Sequence, residues 1–208
     1  MIEQLACKLG RNDEVPNIEL AEKLCRTMDK EGIREIVDGL RSNEQAVASD
    51  CIKVLYEAGW QKPELIADFA DDFITALSSK NNRMVWGSMT ALAKISEIAG
   101  KTIYENIEAV ISAYEKGSTI TIDNSISVFA GLCKAGEDYE KAVLPILLKH
   151  LEKCRPKEVP QHAERASVCF NKRNAGAFIE VLEKRNANLA GAGQTRVKKL
   201  LKKLYDLR

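Results

Sequence analysis

Residues 82–100 read Asn82-Arg83-Met84-Val85-Trp86-Gly87-Ser88-Met89-Thr90-Ala91-Leu92-Ala93-Lys94-Ile95-Ser96-Glu97-Ile98-Ala99-Gly100. Val85, Met89, Leu92, Ser96 and Ala99 recur at helical spacing and share one face. Asn81–Asn82 offers turn and capping chemistry before this helix, and Gly100 ends it. Working outward, the same unit recurs. Before it, Ile33, Ile36, Val37 and Leu40 form a helix, Val47, Cys51, Val54, Leu55 and Ala58 form its partner up to Gly59, and Pro63 opens a helix through Leu77. After it, Thr102 caps a helix through Tyr114, Gly117–Ser118 turns the chain, and Ile122, Ile126, Phe129 and Leu132 repeat the second-helix stripe to Gly136. Helices follow at about 138–154, 158–170, 175–185 and 195–207. At the start, Ile2, Leu5, Ala6 and Leu9 make a short helical stripe, and Leu20, Leu24 and Met28 a second helix opened near Pro16–Asn17. No segment alternates with period two, so the expected class is all-α.

The spacing tests the repeat. Leu40, Leu77, Tyr114 and Leu151 close first helices and are successively 37 residues apart, and Val85, Ile122 and Val159 open second helices at the same interval of 37. Helices this short do not bury a stripe alone, so neighbouring units must share one core.

On these residues the chain resembles the HEAT-repeat, armadillo-like family. Leu144-Pro145-Ile146-Leu147-Leu148 through Leu151 is similar to the family's first helix, which carries a kinking proline before a leucine-rich stripe. An interior proline otherwise costs about 3 kcal/mol. Asn82-Arg83-Met84-Val85-Trp86 followed by Thr90-Ala91-Leu92 resembles the opening of the second helix. The family's Val-Arg pair is reversed here, with Arg83 ahead of Val85, and the fourth unit has Lys157-Glu158-Val159-Pro160. A stacked Arg–Asp ladder between repeats is therefore not expected. The resemblance implies a right-handed superhelical array of antiparallel helix pairs, a HEAT-like α-solenoid. It would form a single domain over residues 1–208, with capping helices in 1–30, repeats in 31–171 and a capping pair in 174–208. It also implies that second helices line a concave face.

Composition narrows the chemistry. The chain is 45% hydrophobic and 29% charged, which supports a packed core and argues against disorder. Residues 1–10 carry Glu3 and no long apolar stretch, so they do not read as a secretory signal. No run of 18 apolar residues exists, and no membrane span is expected. The six cysteines, Cys7, Cys25, Cys51, Cys133, Cys154 and Cys169, include no Cys-x-x-Cys. They read as small buried hydrophobes in a reducing cytoplasm. The net charge of +1 hides a polarity: residues 1–140 hold 15 Lys+Arg against 24 Asp+Glu, a net of −9, and residues 141–208 hold 16 against 6, a net of +10. In a linear array such ends attract at low salt, so a monomer or weak, salt-sensitive self-association is expected near physiological ionic strength.

Catalytic signatures are missing: there is no Gly-x-Ser-x-Gly, no phosphate-binding glycine loop and no His-Glu-x-x-His. Asp71–Asp72 and Glu137–Asp138 sit near helix starts, where exposed amides favour negative charge. His150 and Cys154 have the spacing of a metal-ligand pair, and His162 and Cys169 lie on the next helix. Without a short ligand knuckle, packing is the expected role, and no cofactor or metal is assigned.

Turning each helix by 100° per residue directs Arg83, Thr90 and Lys94 away from the core, with Trp86 on the flank. Adding 37 carries these positions to Ile120, Asp123, Ser127 and Gly131, and adding 37 again to Lys157, Pro160, Glu164 and Val168. Trp86 is either the anchor of a binding face or a residue packed between repeats. In the last helix, Lys198, Lys199, Lys202 and Lys203 oppose the stripe Val197, Leu200, Leu201 and Leu204. That helix either caps the core or offers a basic contact. The expected function is a non-enzymatic binding scaffold for a protein or peptide. The alternative is a nucleic-acid-binding relative of HEAT-like DNA glycosylases that excise alkylated bases, with Trp86 and Asp123 at equivalent repeat positions.

Overall fold

A computed structural model describes residues 1–208 as twelve α-helices with short 3₁₀ turns and no strand. The chain divides into two compact units, Met1–Val128 and Phe129–Arg208.

The first unit contains α1 (Val15–Thr27), α2 (Lys30–Asp38), α3 (Gln45–Gln61), α4 (Ala70–Ala76), α5 (Asn82–Ile95), α6 (Gly100–Glu105), α7 (Ile107–Lys116) and the first part of α8 (Thr119–Ala135). Helix α1 packs along α3 and α3 along α5, while α2 lies against α3 and α4 against α5. Second helices thus form a row, with first helices behind them. The period is plain in the helix starts: α3, α5 and α8 begin at Gln45, Asn82 and Thr119, 37 residues apart. At α5 and α8 a side chain just ahead of the start takes a loose amide of the first turn. Asn81 Oδ1 accepts from the Arg83 amide at 3.0 Å, and Ser118 Oγ from the Thr121 amide at 3.3 Å. The core holds Ile52, Leu55, Phe73, Met89 and Leu92, all fully buried. Gly87 permits the close α3–α5 approach, because a Cβ there would meet Ile52 Cγ1 at 2.7 Å.

The beginning of the chain departs from expectation. Residues 2–4 form only a 3₁₀ turn, and Leu9 is 53% exposed. The Ala6 amide donates to Asn17 Oδ1 at 3.0 Å and the Cys7 amide to Asp50 Oδ2 at 2.8 Å, so side chains capture the donors a helix would need. Helix α1 packs along α3 as the first member of the row. First helices are also more broken than the stripes suggest. Between Pro63 and α4 lie two 3₁₀ turns, and α4 begins only where Asp71 and Asp72 enter its first turn. The helix expected from Thr102 to Tyr114 splits at Asn106, whose side-chain amide donates to the Thr102 carbonyl at 2.9 Å.

The second unit, beyond the remainder of α8, contains α9 (Glu137–Lys153), α10 (Val159–Ala166), α11 (Ala175–Asn186) and α12 (Gly191–Leu207). Helix α9 packs on α10 and α11, and α12 packs on both α10 and α11. Pro145 lies inside α9, with its ring exposed. Here the period slips. Val85 and Ile122 are the fourth residues of their helices, whereas Val159 is the first residue of α10. Pro156 disfavours helix at Arg155, and the Glu158 carboxylate closes the turn on the Arg155 amide at 3.1 Å. Pro160 at the second helical position lacks only an amide that would be unpaired there anyway.

Candidate binding face

The row α1–α3–α5 carries a continuous charged and aromatic surface in the first unit. Its centre is Lys53, whose side chain is only 7% exposed. Its Nζ lies 2.9 Å from Glu14 and 2.7 Å from Glu57, and 5.0 Å from the Tyr56 ring centroid. Burial alone would lower its pKa, but the bonds to Glu57, Glu14 and Tyr56 hold it above the usual lysine range. Glu14 also receives Arg83 Nη2 at 2.5 Å. Burial raises its carboxyl, while Lys53 and Arg83 pull it down to a net value below the ordinary one. Arg83 in turn lies 5.7 Å over the Trp86 ring, and Trp86 packs at 5.7 Å against Tyr56. One network therefore spans the start of α1, the middle of α3 and the first turn of α5.

Beside it, Trp60 is 63% exposed, with Lys94 Nζ seated 2.8 Å from its ring centroid. Gly59 makes this geometry possible, because a Cβ there would press on Ile66 and, at 3.3 Å, on Lys94 Cβ. A large exposed aromatic capped by an ammonium offers an apolar plate beside a positive charge.

Of the residues expected on this face, Arg83, Trp86 and Lys94 are half-buried on α5, and Asp123 and Ser127 half-buried on α8. Trp86 is thus packed and partly open at once. Thr90 requires correction: it is buried at 7% exposure rather than turned outward. Its hydroxyl donates to the Trp86 carbonyl at 2.7 Å and accepts from Asn124 at 3.0 Å, tying α5 to α8. A helix flanked by neighbours on both sides has little free face, so rotation alone misplaces such a residue. Lys157 and Glu164 belong to the second unit and are exposed, but Lys157 lies in the turn before α10 because of the slipped register. Glu164 pairs with Arg196 at 2.5 Å. Lys198, Lys199, Lys202 and Lys203 are all exposed on α12, opposite the buried Val197, Leu200, Leu201 and Leu204.

Sequence reasoning missed Trp60, Glu14, Lys53, Tyr56 and Glu57. The Lys53–Glu57 spacing is a visible helical ion-pair signal, and Trp60 lies off the α3 apolar stripe. Glu14 joins them only through folding. Also missed was Glu140, which falls in phase with Val143 and Leu147 on α9 and is 4% exposed. Its carboxylate accepts from Asn171 at 2.9 Å, Asn174 at 2.7 Å and Arg173 at 2.9 Å. Burial pushes this carboxyl up, but the three donors leave it below the ordinary range.

The four metal-type residues considered from sequence part company. His150, Cys154 and His162 come together, whereas the Cys169 thiol donates to the Ala166 carbonyl at 3.1 Å and lies beside the free thiol of Cys133. Burial pushes the Cys154 thiol up to about 11.

Geometry and comparison agree on the class: this is an all-α solenoid of the armadillo and HEAT-like type. An engineered protein solved by the Northeast Structural Genomics Consortium superposes with a TM-score of 0.71 at 18% identity, covering 99% of this chain and 96% of its own. A computationally designed armadillo repeat protein for modular peptide recognition matches with TM-score 0.66 at 13% identity, over 90% of this chain and 91% of its own. A further designed armadillo repeat protein matches with TM-score 0.61 at 15% identity, over 98% and 100%. The sequence matches no protein-family model and no curated protein. No helix is long and apolar enough to cross a membrane.

Proposed function

We propose that this chain is a non-enzymatic binding scaffold, and that the second-helix face of its first unit takes an extended protein or peptide segment. The observation that carries the reading is Trp60, 63% exposed under the Lys94 ammonium and beside the Arg83–Trp86–Tyr56 cluster. An exposed tryptophan next to further aromatic side chains makes the kind of contiguous apolar patch that marks interaction sites, and Trp and Arg are the residue types that anchor interfaces. Lys94 suits a partner with an acidic group beside an apolar side chain. Peptide recognition by a designed armadillo protein of similar fold adds support. Panning a displayed random-peptide library on the immobilised protein should enrich a consensus that quenches tryptophan fluorescence on binding. Trp60→Ala should abolish that binding while changing stability by less than about 0.5 kcal/mol. Failure to enrich any consensus, or one indifferent to Trp60, would overturn the reading.

The exposed lysines of α12 favour a second reading, a nucleic-acid contact. Phosphate binding would weaken steeply with salt. Absence of a duplex shift at micromolar protein and low salt would remove it.

A further inference from the structure

We infer that His150, Cys154 and His162 form a binding site for one borderline-soft divalent cation of the zinc type, a role separate from the binding face. Their ligand atoms all lie within 4.8 Å of one another. His150 and Cys154 are four residues apart at the end of α9, so both project from one face of its last turn. His162 stands in the first turns of α10, across a tight connection closed by the Glu158–Arg155 contacts. The two imidazoles are buried, at 9% and 1% exposure, and His150 Nε2 faces His162 Nδ1 at 2.8 Å.

That contact determines what the site can hold. At this distance a single proton lies between the two nitrogens, donated by one ring into the lone pair of the other. A cation in the same place would accept both lone pairs. Zinc bonded to imidazole nitrogen at about 2.0 Å and thiolate sulfur at about 2.3 Å in tetrahedral geometry sets donor atoms about 3.3–3.6 Å apart. The observed separations of 2.8 Å and up to 4.8 Å bracket that range. Shifts of roughly 1 Å in the ligand atoms would therefore bring the three donors to that spacing. The Cys154 thiol now makes only a weak contact to the Leu151 carbonyl at 3.8 Å and is half-buried, which gives an ion a way in.

Two neutral imidazoles and one thiolate against a divalent cation leave a net +1, the thiol proton passing to solvent. Glu158 is already paired with Arg155, so the excess positive charge of the bound ion is left to solvent and counter-ions. The Arg185 guanidinium lies on the Glu152 and Cys154 carbonyls at 2.8 and 2.5 Å. Its fixed contacts also order the Cys154 backbone. The mixed nitrogen and sulfur donors select zinc-like ions over magnesium or calcium.

Cobalt(II) is the probe. Titrated into the metal-stripped, reduced full-length protein, it should give a sulfur-to-cobalt charge-transfer band that saturates at one equivalent and is displaced by zinc. Cys154→Ser should lose the band, and Cys7→Ser should keep it, with circular dichroism confirming that each variant is folded. His162→Ala should weaken cobalt binding by roughly 100-fold or more, since even an outer hydrogen-bond partner of a ligand is worth about 10–100-fold. A folded wild-type protein without a charge-transfer band overturns the site. So does a band that survives Cys154→Ser.

Discussion

Each unit buries one formal charge, and the two are of opposite sign. In the first unit Lys53, 6% exposed, is held by Glu14 and Glu57; in the second Glu140, 4% exposed, is held by Arg173, Asn171 and Asn174. Both link neighbouring helical layers, but their partners differ. The carboxylates around Lys53 reach the surface, with side-chain exposures of 44% and 24%. Around Glu140 the key donor, Asn174, is itself 2% exposed and stands at the start of α11. A buried charge held by groups that can return to water is replaceable. One whose loss strands a buried neutral donor, as Glu140 would strand Asn174, is not.

The largest effect should come from Glu140→Ala. It leaves the Asn174 side-chain amide with only the Cys169 carbonyl and Arg173 with only its long contact to Glu137 at 3.9 Å. A loss of about 3 kcal/mol is expected in chemical denaturation followed by circular dichroism. A loss below about 1 kcal/mol would show that water substitutes for the carboxylate.

Acid should act through the same residue. The folded-state carboxyl of Glu140 lies below its ordinary 4.5. Its contribution is thus fully present above that value and is lost as pH falls through the lower folded value. In Glu140→Gln this part of the acid sensitivity should vanish, so the stabilities of the wild type and the variant should converge as pH drops below 4.5. Parallel curves would place the acid-sensitive group elsewhere.

The smallest effect is expected for Lys53→Met, about 1 kcal/mol or less, because the methionine fills the buried stem and both carboxylates regain solvent. Trp60 and Trp86 both lie in the first unit, so tryptophan fluorescence reads this change directly. A loss as large as that of Glu140→Ala would break the contrast between the two units.

Much of the architecture was legible in advance. The interval of 37 residues reappears in the starts of α3, α5 and α8 because apolar spacing acts locally, helped at α5 and α8 by capping side chains. The acid pairs at 71–72 and 137–138 sit in first turns for the same reason. Less legible were events in which a distant side chain overrides local preference. Asn17 and Asp50 strip amides from residues 6 and 7, and no pattern within 1–10 announces it. The candidate face was half legible: Arg83, Trp86 and Lys94 could be placed by rotation about one helix. Thr90 was misplaced because Asn124, from α8, covers it.

The sequence by itself determined the all-α class, the repeat length and the Asn81 cap of α5, since these follow from interactions within a few residues. It also contained the pairing of His150 with Cys154, because one helical turn sets it. Only the tertiary structure decided that His162 completes that cluster while Cys169 turns to Cys133, that Glu14 meets Lys53 and Arg83, and that Trp60 stands exposed under Lys94. Each of these depends on how far one helix is rotated and shifted against another. That is set by the whole set of buried contacts, with close approaches such as Gly87 on Ile52 and Gly59 by Lys94 among the most restrictive.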